Sequence, residues 1–106
     1  MRKLKFIVDG QIIKQDPECD FGNLIPGSSG YLVADFAFSK EWNGTVRVAA
    51  FSNVKKECPP QILKDGHSCI IPEEALKSKV FYINVLGKNK DSKIKTNKVK
   101  VVQNGG

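Results

Sequence analysis

The chain has 106 residues, of which 41% are hydrophobic and 26% are charged, and its formal net charge is +6. This length and composition are ordinary for a single compact domain. The apolar runs are far shorter than the ~20 residues of a membrane helix, so no membrane partner is expected. The basic amino terminus has no apolar stretch long enough for a signal peptide, and we expect synthesis in a cytoplasm.

The first strands are predicted by alternation. In the segment KLKFIV, Leu4, Phe6 and Val8 share one face. Asp9-Gly10 follows, and then QIIKQ alternates again. An Asp-Gly pair between two alternating runs is typical of a β-hairpin with a type I′ turn, because both turn residues need positive φ. A hairpin is therefore predicted at the start of the chain.

The stretch YLVADFAFSKEWNGTVRVAAFSN, residues 31–53, predicts a strand, a turn and a second strand. Asp35 is costly to bury, so the opposite face, which carries Phe36 and Phe38, is predicted to form core. In the second strand, Val46, Val48 and Ala50 are predicted to face the core. Thr45 and Arg47 are predicted to face solvent.

A second Asp-Gly pair, Asp65-Gly66, lies between QILK and HSCII and predicts a second hairpin. The segment PEEALK predicts one helical turn. Pro72 suits the first helical position, and Glu73 and Glu74 favour the positive end of the helix dipole.

The carboxyl-terminal part predicts two more long strands. VFYINVL places Phe81, Ile83 and Val85 in the core, and GKNKDS, which contains Gly87, is predicted to be a turn. The last strand, KIKTNKVKVVQ, changes phase, and one extra residue near Asn97 would restore its face. We therefore predict a β-bulge there. The domain is predicted to span residues 1–103, with a flexible tail over 104–106.

These elements amount to eight or nine short strands and one helical turn. They predict an all-β fold, an antiparallel immunoglobulin-like β-sandwich, with a small barrel as the alternative. The chain lacks the cysteine pair and the core tryptophan spacing of antibody domains, so only the architecture is implied.

The positive charge is concentrated near the carboxyl end. Eight lysines and one acidic residue, Asp91, lie between Lys77 and Lys100. Such a cluster is one sign of a nucleic-acid partner. However, the segment has no arginine, and its lysines alternate with apolar residues, as on exposed strands that resist aggregation. We predict solvated strand faces and no nucleic-acid partner.

Residues suited to catalysis or metal binding are few. Cys19, Cys58 and Cys69 cannot all pair with one another and are predicted to be free thiols. A zinc site from His67, Cys69 and Cys58 lacks the spacing of thiolate ligands, so no cofactor or metal is predicted.

The nucleophile and base candidates are equally weak. Lys55 and Lys56 are expected to lower the pKa of Cys58. His67 is placed at a hairpin tip, where no partner carboxylate can be assigned to it. No catalytic residue is predicted, and we do not expect an enzyme.

Trp42 has two interpretations. On an exposed loop its ring could stack on a sugar, with Tyr31 or Tyr82 as a companion. The nearest aromatic residues, Phe36 and Phe38, are predicted to be in the core, which favours Trp42 folding over the open end of the sandwich. Trp42, Tyr31 and Tyr82 are the candidate contacts for a glycan or a protein partner.

Five segments resemble, in order, a small immunoglobulin-like domain of tail and baseplate proteins from phages and prophages of Gram-positive bacteria, like the amino-terminal domain of the baseplate upper protein. In that family an aromatic-rich strand ends in a Ser-x-Glu-Trp-x-Gly turn, matched by Ser39, Glu41, Trp42 and Gly44. The proline-led helical turn and the Thr-Asn-Lys-Val strand match residues 72–76 and 96–99. The five segments, which cover most of the sequence, are LKFIVDGQII, YLVADFAFSKEWNG, VRVAAFSN, IIPEEALKSKVFYINVLG and IKTNKVKVVQ.

The resemblance implies a structural virion protein or module that attaches to or decorates the particle at the tail, baseplate, fibre or head. It implies contacts with other virion proteins, homo-oligomers in the particle, and a location in the virion after synthesis in the host cytoplasm. The family domain often precedes a receptor-binding part, whereas this chain stops at NGG, as a fragment or a small standalone virion protein would. The alternative function is a glycan-binding module for adhesion to the host surface.

Overall fold

The computed structural model describes residues 1–105, which form nine strands, one α-helix and a 3₁₀ turn. The strands are β1 (Arg2–Asp9), β2 (Ile12–Gln15), β3 (Leu32–Phe38), β4 (Val46–Ser52), β5 (Gln61–Ile62), β6 (Ser68–Ile70), β7 (Val80–Lys88), β8 (Lys93–Lys95) and β9 (Val99–Val102). Helix α1 spans Glu73–Leu76, where one helical turn is predicted, and the 3₁₀ turn spans Lys40–Trp42.

The strands form two sheets. In the first sheet the order is β2-β1-β3-β6; in the second it is β5-β4-β7, with β8 and β9 both pairing with β7. The prediction of a mostly β protein in short strands is confirmed. One pairing departs from the antiparallel expectation: β1 and β3 are parallel. The connection over residues 16–31 allows this, because it leads from the end of β2 past the start of β1 before β3 begins.

The core takes buried residues from both sheets and therefore lies between them. Leu4, Phe6 and Val8 of β1 are buried, as predicted. On β7, Phe81, Ile83 and Val85 are buried, as predicted.

Strand β4 turns toward the core the face opposite to the one that was predicted. Ala49 and Phe51 are buried, whereas Val46 is 67% exposed and Val48 and Ala50 are only partly buried. The prediction that Val46, Val48 and Ala50 face the core is therefore wrong. Both faces of this strand are apolar, so alternation alone does not choose between them.

Arg47 explains the choice of face. Its side chain lies on the inward parity of β4, at the rim of the core, and not in solvent as predicted. The guanidinium donates to the backbone oxygens of Gly66 and Trp42, both at 2.8 Å, and its Cζ atom lies 4.3 Å from the centroid of the Phe38 ring. Because these groups replace the water that the charge loses, Arg47 can share a face with core residues.

Trp42 closes this end of the core. Its side chain is 0% exposed, and its Nε1–H donates to the Gly10 oxygen at 2.8 Å. The indole lies directly on Gly87, where an added Cβ would stand 2.7 Å from Trp42 Cζ3. Gly87 therefore lies inside β7 and not in the predicted turn. The interpretation of Trp42 as a cover for the core is confirmed.

The first predicted hairpin is confirmed, with its turn one residue later. Asp9 pairs with Ile12, so Gly10 and Gln11 form the loop. Gly10 has a positive φ of 58° and Gln11 does not. This fits a turn with glycine in the first position, as in type II′, and not the expected type I′.

The second predicted hairpin is wrong. Strand β5 pairs with β4 and strand β6 pairs with β3, so residues 63–67 cross from one sheet to the other. Asp65 Oδ1 accepts the N–H groups of His67 and Ser68, which makes a tight turn. The Asp-Gly pair therefore indicates a tight turn, but it does not determine which strands pair with β5 and β6.

The predicted β-bulge is confirmed. Leu86 pairs with Lys95 and Ile83 pairs with Val99, so three steps along β7 correspond to four steps along the partner strands. The partner side therefore contains one extra residue. At the bulge, Asn97 Oδ1 accepts the Ile13 N–H at 2.8 Å and ties the edge of the first sheet to the second.

The residues that follow β9 contact the rest of the domain. Gln103 is buried, and its Nε2 donates to the Leu76 and Ser78 oxygens. The Gly105 N–H donates to the Leu24 oxygen at 2.9 Å. The predicted flexible tail over 104–106 includes Gly106, which lies outside the described residues.

We predict that Gly87→Ala lowers the free energy of unfolding by about 1–3 kcal/mol, because the added Cβ would stand only 2.7 Å from the fully buried indole. Urea unfolding followed by circular dichroism measures this. The control is the same substitution in a Trp42→Phe background, where the smaller ring relieves the overlap and the cost should shrink. An equal cost in both backgrounds would contradict the packing argument.

Candidate partner-binding surface

The outer face of the second sheet carries a row of side chains that runs across four strands. Val48 on β4 lies opposite Ile62 on β5 and opposite Leu86 on β7. Leu86 in turn lies opposite Lys95 on β8. Directly opposed side chains on one face of a sheet are in contact range. Three apolar residues and a lysine therefore form a continuous row on the outside of the domain.

An apolar patch surrounds this row. Val46 is 67% exposed and Ile62 is 62% exposed. A shallow depression of about 260 Å³ lies beside Val46, Val48, Pro60 and Leu86 and is bordered by Lys88 and Lys93. Contiguous exposed apolar side chains on a small domain mark interaction sites. We call this set the apolar patch: Val46, Val48, Pro60, Ile62 and Leu86.

A groove adjoins the apolar patch on the same face. It has a volume of about 270 Å³ and shares Pro60 and Leu86 with the patch. Its floor is formed by outward residues of β4 and β7, and Lys95 and Lys98 border it on the β8–β9 side. We call it the Asn84 groove, after the asparagine on its floor.

The opposite wall of the groove is the segment 57–60. Glu57 bridges to Ser52, and the Cys58 N–H donates to the Phe51 oxygen at 2.8 Å, so the segment runs close beside β4. Pro59 and Pro60 have no N–H groups and cannot extend the pairing. The chain therefore pairs with β4 at Glu57 and Cys58 and again at Gln61–Ile62, and the two prolines interrupt the pairing between them.

Asn84 is an unusual residue for the floor of such a groove. It lies opposite Ala50, is 6% exposed, and its carboxamide has no hydrogen-bond partner among residues 1–105. Among the described residues the fully buried side-chain polar atom without a partner is Gln103 Oε1, so the Asn84 carboxamide keeps some contact with solvent at the groove floor. The Asn84 carboxamide is therefore available to a group that enters the groove.

Lysines frame the same face. Lys88 and Lys93 are directly opposed, although like charges in this position destabilise a strand pair. Neither these nor the other lysines of residues 1–105 form an ion pair with a carboxylate. All are exposed, as the prediction of solvated strand faces requires. We call this set the lysine rim: Lys88, Lys93, Lys95, Lys98 and Lys100.

The three candidate contact residues do not form one site. Trp42 is buried, so neither of its ring faces can reach a ligand, and its candidate contact role is corrected. Tyr82 lies on the outer face of the second sheet, opposite Ser52 and Lys100 and beside the Asn84 groove. Tyr31 precedes β3 in the first sheet and is half-exposed. Tyr82 is the candidate that the structure places beside the groove.

His67 has carboxylate partners that sequence reasoning missed. Its Nδ1 lies 2.9 Å from Asp35 Oδ1 and its Nε2 lies 3.5 Å from Asp65 Oδ2. Asp35 comes within reach because β6 pairs with β3. The Ser68 hydroxyl, followed by the His67 backbone N–H, holds the pKa of Asp65 well below its usual range. This cluster fastens the crossing between the sheets to β3.

The thiols of Cys58 and Cys69 are poor nucleophiles. Burial and then Glu74 raise the pKa of Cys58, and these effects outweigh Lys56, so the expected lowering is wrong. Burial and Asp65 raise the pKa of Cys69 to about 12. Within residues 1–105, no three histidine, cysteine, aspartate or glutamate side chains are grouped so as to hold a metal ion.

Comparison with known protein families finds no match for this sequence, and comparison with curated proteins finds none either. In the described part of the protein, no helix has both the length and the hydropathy needed to cross a membrane. The resemblance to phage tail and baseplate domains therefore stays an expectation.

The Asp65 turn yields a prediction about pH. The pKa of Asp65 is lowered in the folded state, so its stabilising effect is complete above the unfolded value of about 3.9 and is lost as the pH falls toward the folded value. Asp65→Asn should lower the urea midpoint at pH 7, and the difference from the unmodified protein should narrow below pH ~4. Asp91→Asn, at an exposed turn, is the control and should leave the midpoint unchanged. A difference that stays constant from pH 7 to pH 2 would contradict the assignment.

Proposed function

We propose that this protein is a structural module of a phage virion, which attaches to or decorates the particle through contacts with other virion proteins. The observation that carries the proposal is the apolar patch on the outer face of the second sheet, framed by the lysine rim. The resemblance of the sequence to tail and baseplate domains supplies the biological setting.

The layout of this face supports a protein partner. Protein interfaces combine an apolar centre with a polar rim, and the apolar patch and the lysine rim have this arrangement. The side chains of β4 and β7 are held by a seven-residue antiparallel pairing from Val46 to Ser52. Because the strands are already ordered, binding orders little additional backbone, which favours association.

We also propose that the architecture is an immunoglobulin-like sandwich and that the module forms homo-oligomers in the particle. Nine short strands in two sheets around one core support the first point. The location is the virion, after synthesis in the host cytoplasm.

The proposed role is not catalytic. Cys58 and Cys69 have raised pKa values, so both are thiols and not thiolate nucleophiles at neutral pH. The ring nitrogens of His67 face Asp35 and Asp65, which hold its orientation in the sheet crossing.

Glycan binding is the alternative function, with Trp42 as the stacking platform. The burial of Trp42 removes that platform, and Tyr31 and Tyr82 belong to different sheets. These positions favour the protein-contact role.

We predict that the protein is incorporated into particles of its parent phage and that incorporation depends on the apolar patch. Mass spectrometry of purified particles should detect the unmodified protein, and Val48→Glu/Leu86→Glu should reduce its amount at least tenfold. Ile12→Glu, an exposed apolar position on the first sheet, is the matched control. Circular dichroism must show that all variants are folded. Absence of the unmodified protein from particles, or equal incorporation of the variants, would refute the proposal.

A further inference from the structure

The Asn84 groove and the apolar patch together fit one kind of partner. We propose that they bind an extended polypeptide segment that carries both acidic and apolar side chains. This inference rests on the proposed function, since it specifies the chemistry of the partner that the outer face contacts.

The shape of the face favours an extended segment. The groove runs along β4 and β7 between the wall at residues 57–60 and the lysines of the β8–β9 side. Along β4 the outward residues are Ser52, Ala50, Val48 and Val46, so the floor continues from the groove into the apolar patch. At ~3.3 Å per residue this path is about 20 Å long, the length of an extended segment of about six residues.

The charges of the face favour acidic side chains. Lys95 and Lys98 border the groove and are not paired with carboxylates among residues 1–105. Lys88 and Lys93 border the patch farther along the same path. Glu57, on the opposite wall, is the one carboxylate that lines the groove within the described residues. The lysine rim, set against a single glutamate, attracts an acidic segment and places its carboxylates on the β8–β9 side.

Asn84 supplies the fixed polar contact. Asn84 lines the groove and is 6% exposed as a residue, and its carboxamide forms no hydrogen bond within residues 1–105. An amide has both donors and an acceptor, which match the backbone carbonyl and N–H groups of an extended segment. The apolar residues of the segment would then cover Val48 and Leu86 of the patch.

A second copy of this protein is a poor occupant of the same face. Each copy has a formal net charge of +6, and the face itself is bordered by lysines. Two such faces in contact would bring like charges together while their water is removed, which opposes binding.

The test uses the full-length protein and a random dodecapeptide library displayed on yeast. We expect the enriched peptides to combine aspartate or glutamate with apolar residues. For the best synthetic peptide, Lys95→Glu/Lys98→Glu should weaken affinity at least tenfold, and affinity should fall as salt is raised. Lys3→Glu/Lys5→Glu, which replaces two exposed lysines on β1, is the matched control and should change affinity less than twofold.

Asn84→Leu separates recognition from folding. Because the carboxamide has no partner among the described residues, the substitution should leave the urea midpoint unchanged or raised while it weakens peptide binding at least fivefold. A lowered midpoint would assign Asn84 a structural role and overturn its part in recognition.

Three further outcomes would overturn the inference: no enriched peptides, enriched peptides without acidic residues, or a dimer that Leu86→Glu dissociates in sedimentation. Failure of peptide binding with retained incorporation into particles would reject the acidic partner and leave the proposed function standing. Failure of incorporation with retained peptide binding would reject the virion role alone.

Discussion

The packing of Trp42 on Gly87 joins the two sheets and fixes which face of β4 looks outward. The indole donates to Gly10 in the first-sheet hairpin while its ring lies on Gly87 of β7 in the second sheet. The Arg47 guanidinium donates to the backbone oxygen of Trp42, and this hydrogen bond holds β4 with the Arg47 side chain on the inward face. On a strand, successive side chains point to opposite faces, so this contact turns Val46 and Val48 toward solvent. The closure of the core by Trp42 and the exposure of the apolar patch therefore follow from the same packing of Trp42, Gly87 and Arg47.

Local patterns predicted the parts of the fold that depend on neighbours in sequence. The alternation of β1 and β7 gave their buried faces, and the phase change near Asn97 gave the bulge. The face of β4 was not predictable in this way, because Val46 and Val48 compete with Ala49 and Phe51. The decision falls to the bonds that Arg47 makes, and its acceptors are set by tertiary structure.

The candidate site was harder to predict for the same physical reason. A polar residue that alternates with apolar ones, as Asn84 does, is normally assigned to solvent. Here Asn84 is 6% exposed and shares its groove with residues of the segment 57–60, which pairs with β4 at Glu57 and Cys58. The carboxylate partners of His67 likewise depend on β6 pairing with β3, which the Asp-Gly signal does not specify.

The edge of the first sheet and the outer face of the second differ in whether their polar side chains form hydrogen bonds within the domain. At the β2 edge, Gln11, Gln15 and Asn97 bond to backbone atoms of the neighbouring sheet, so that edge is closed within the domain. On the outer face of the second sheet, the Asn84 carboxamide lacks a partner among residues 1–105 and the apolar patch lies open. A partner that covers this face would remove its exposed apolar area from water and replace the water at the Asn84 carboxamide with its own polar groups. The apolar patch, which the described part of the domain leaves uncovered, is therefore expected to contribute most to binding.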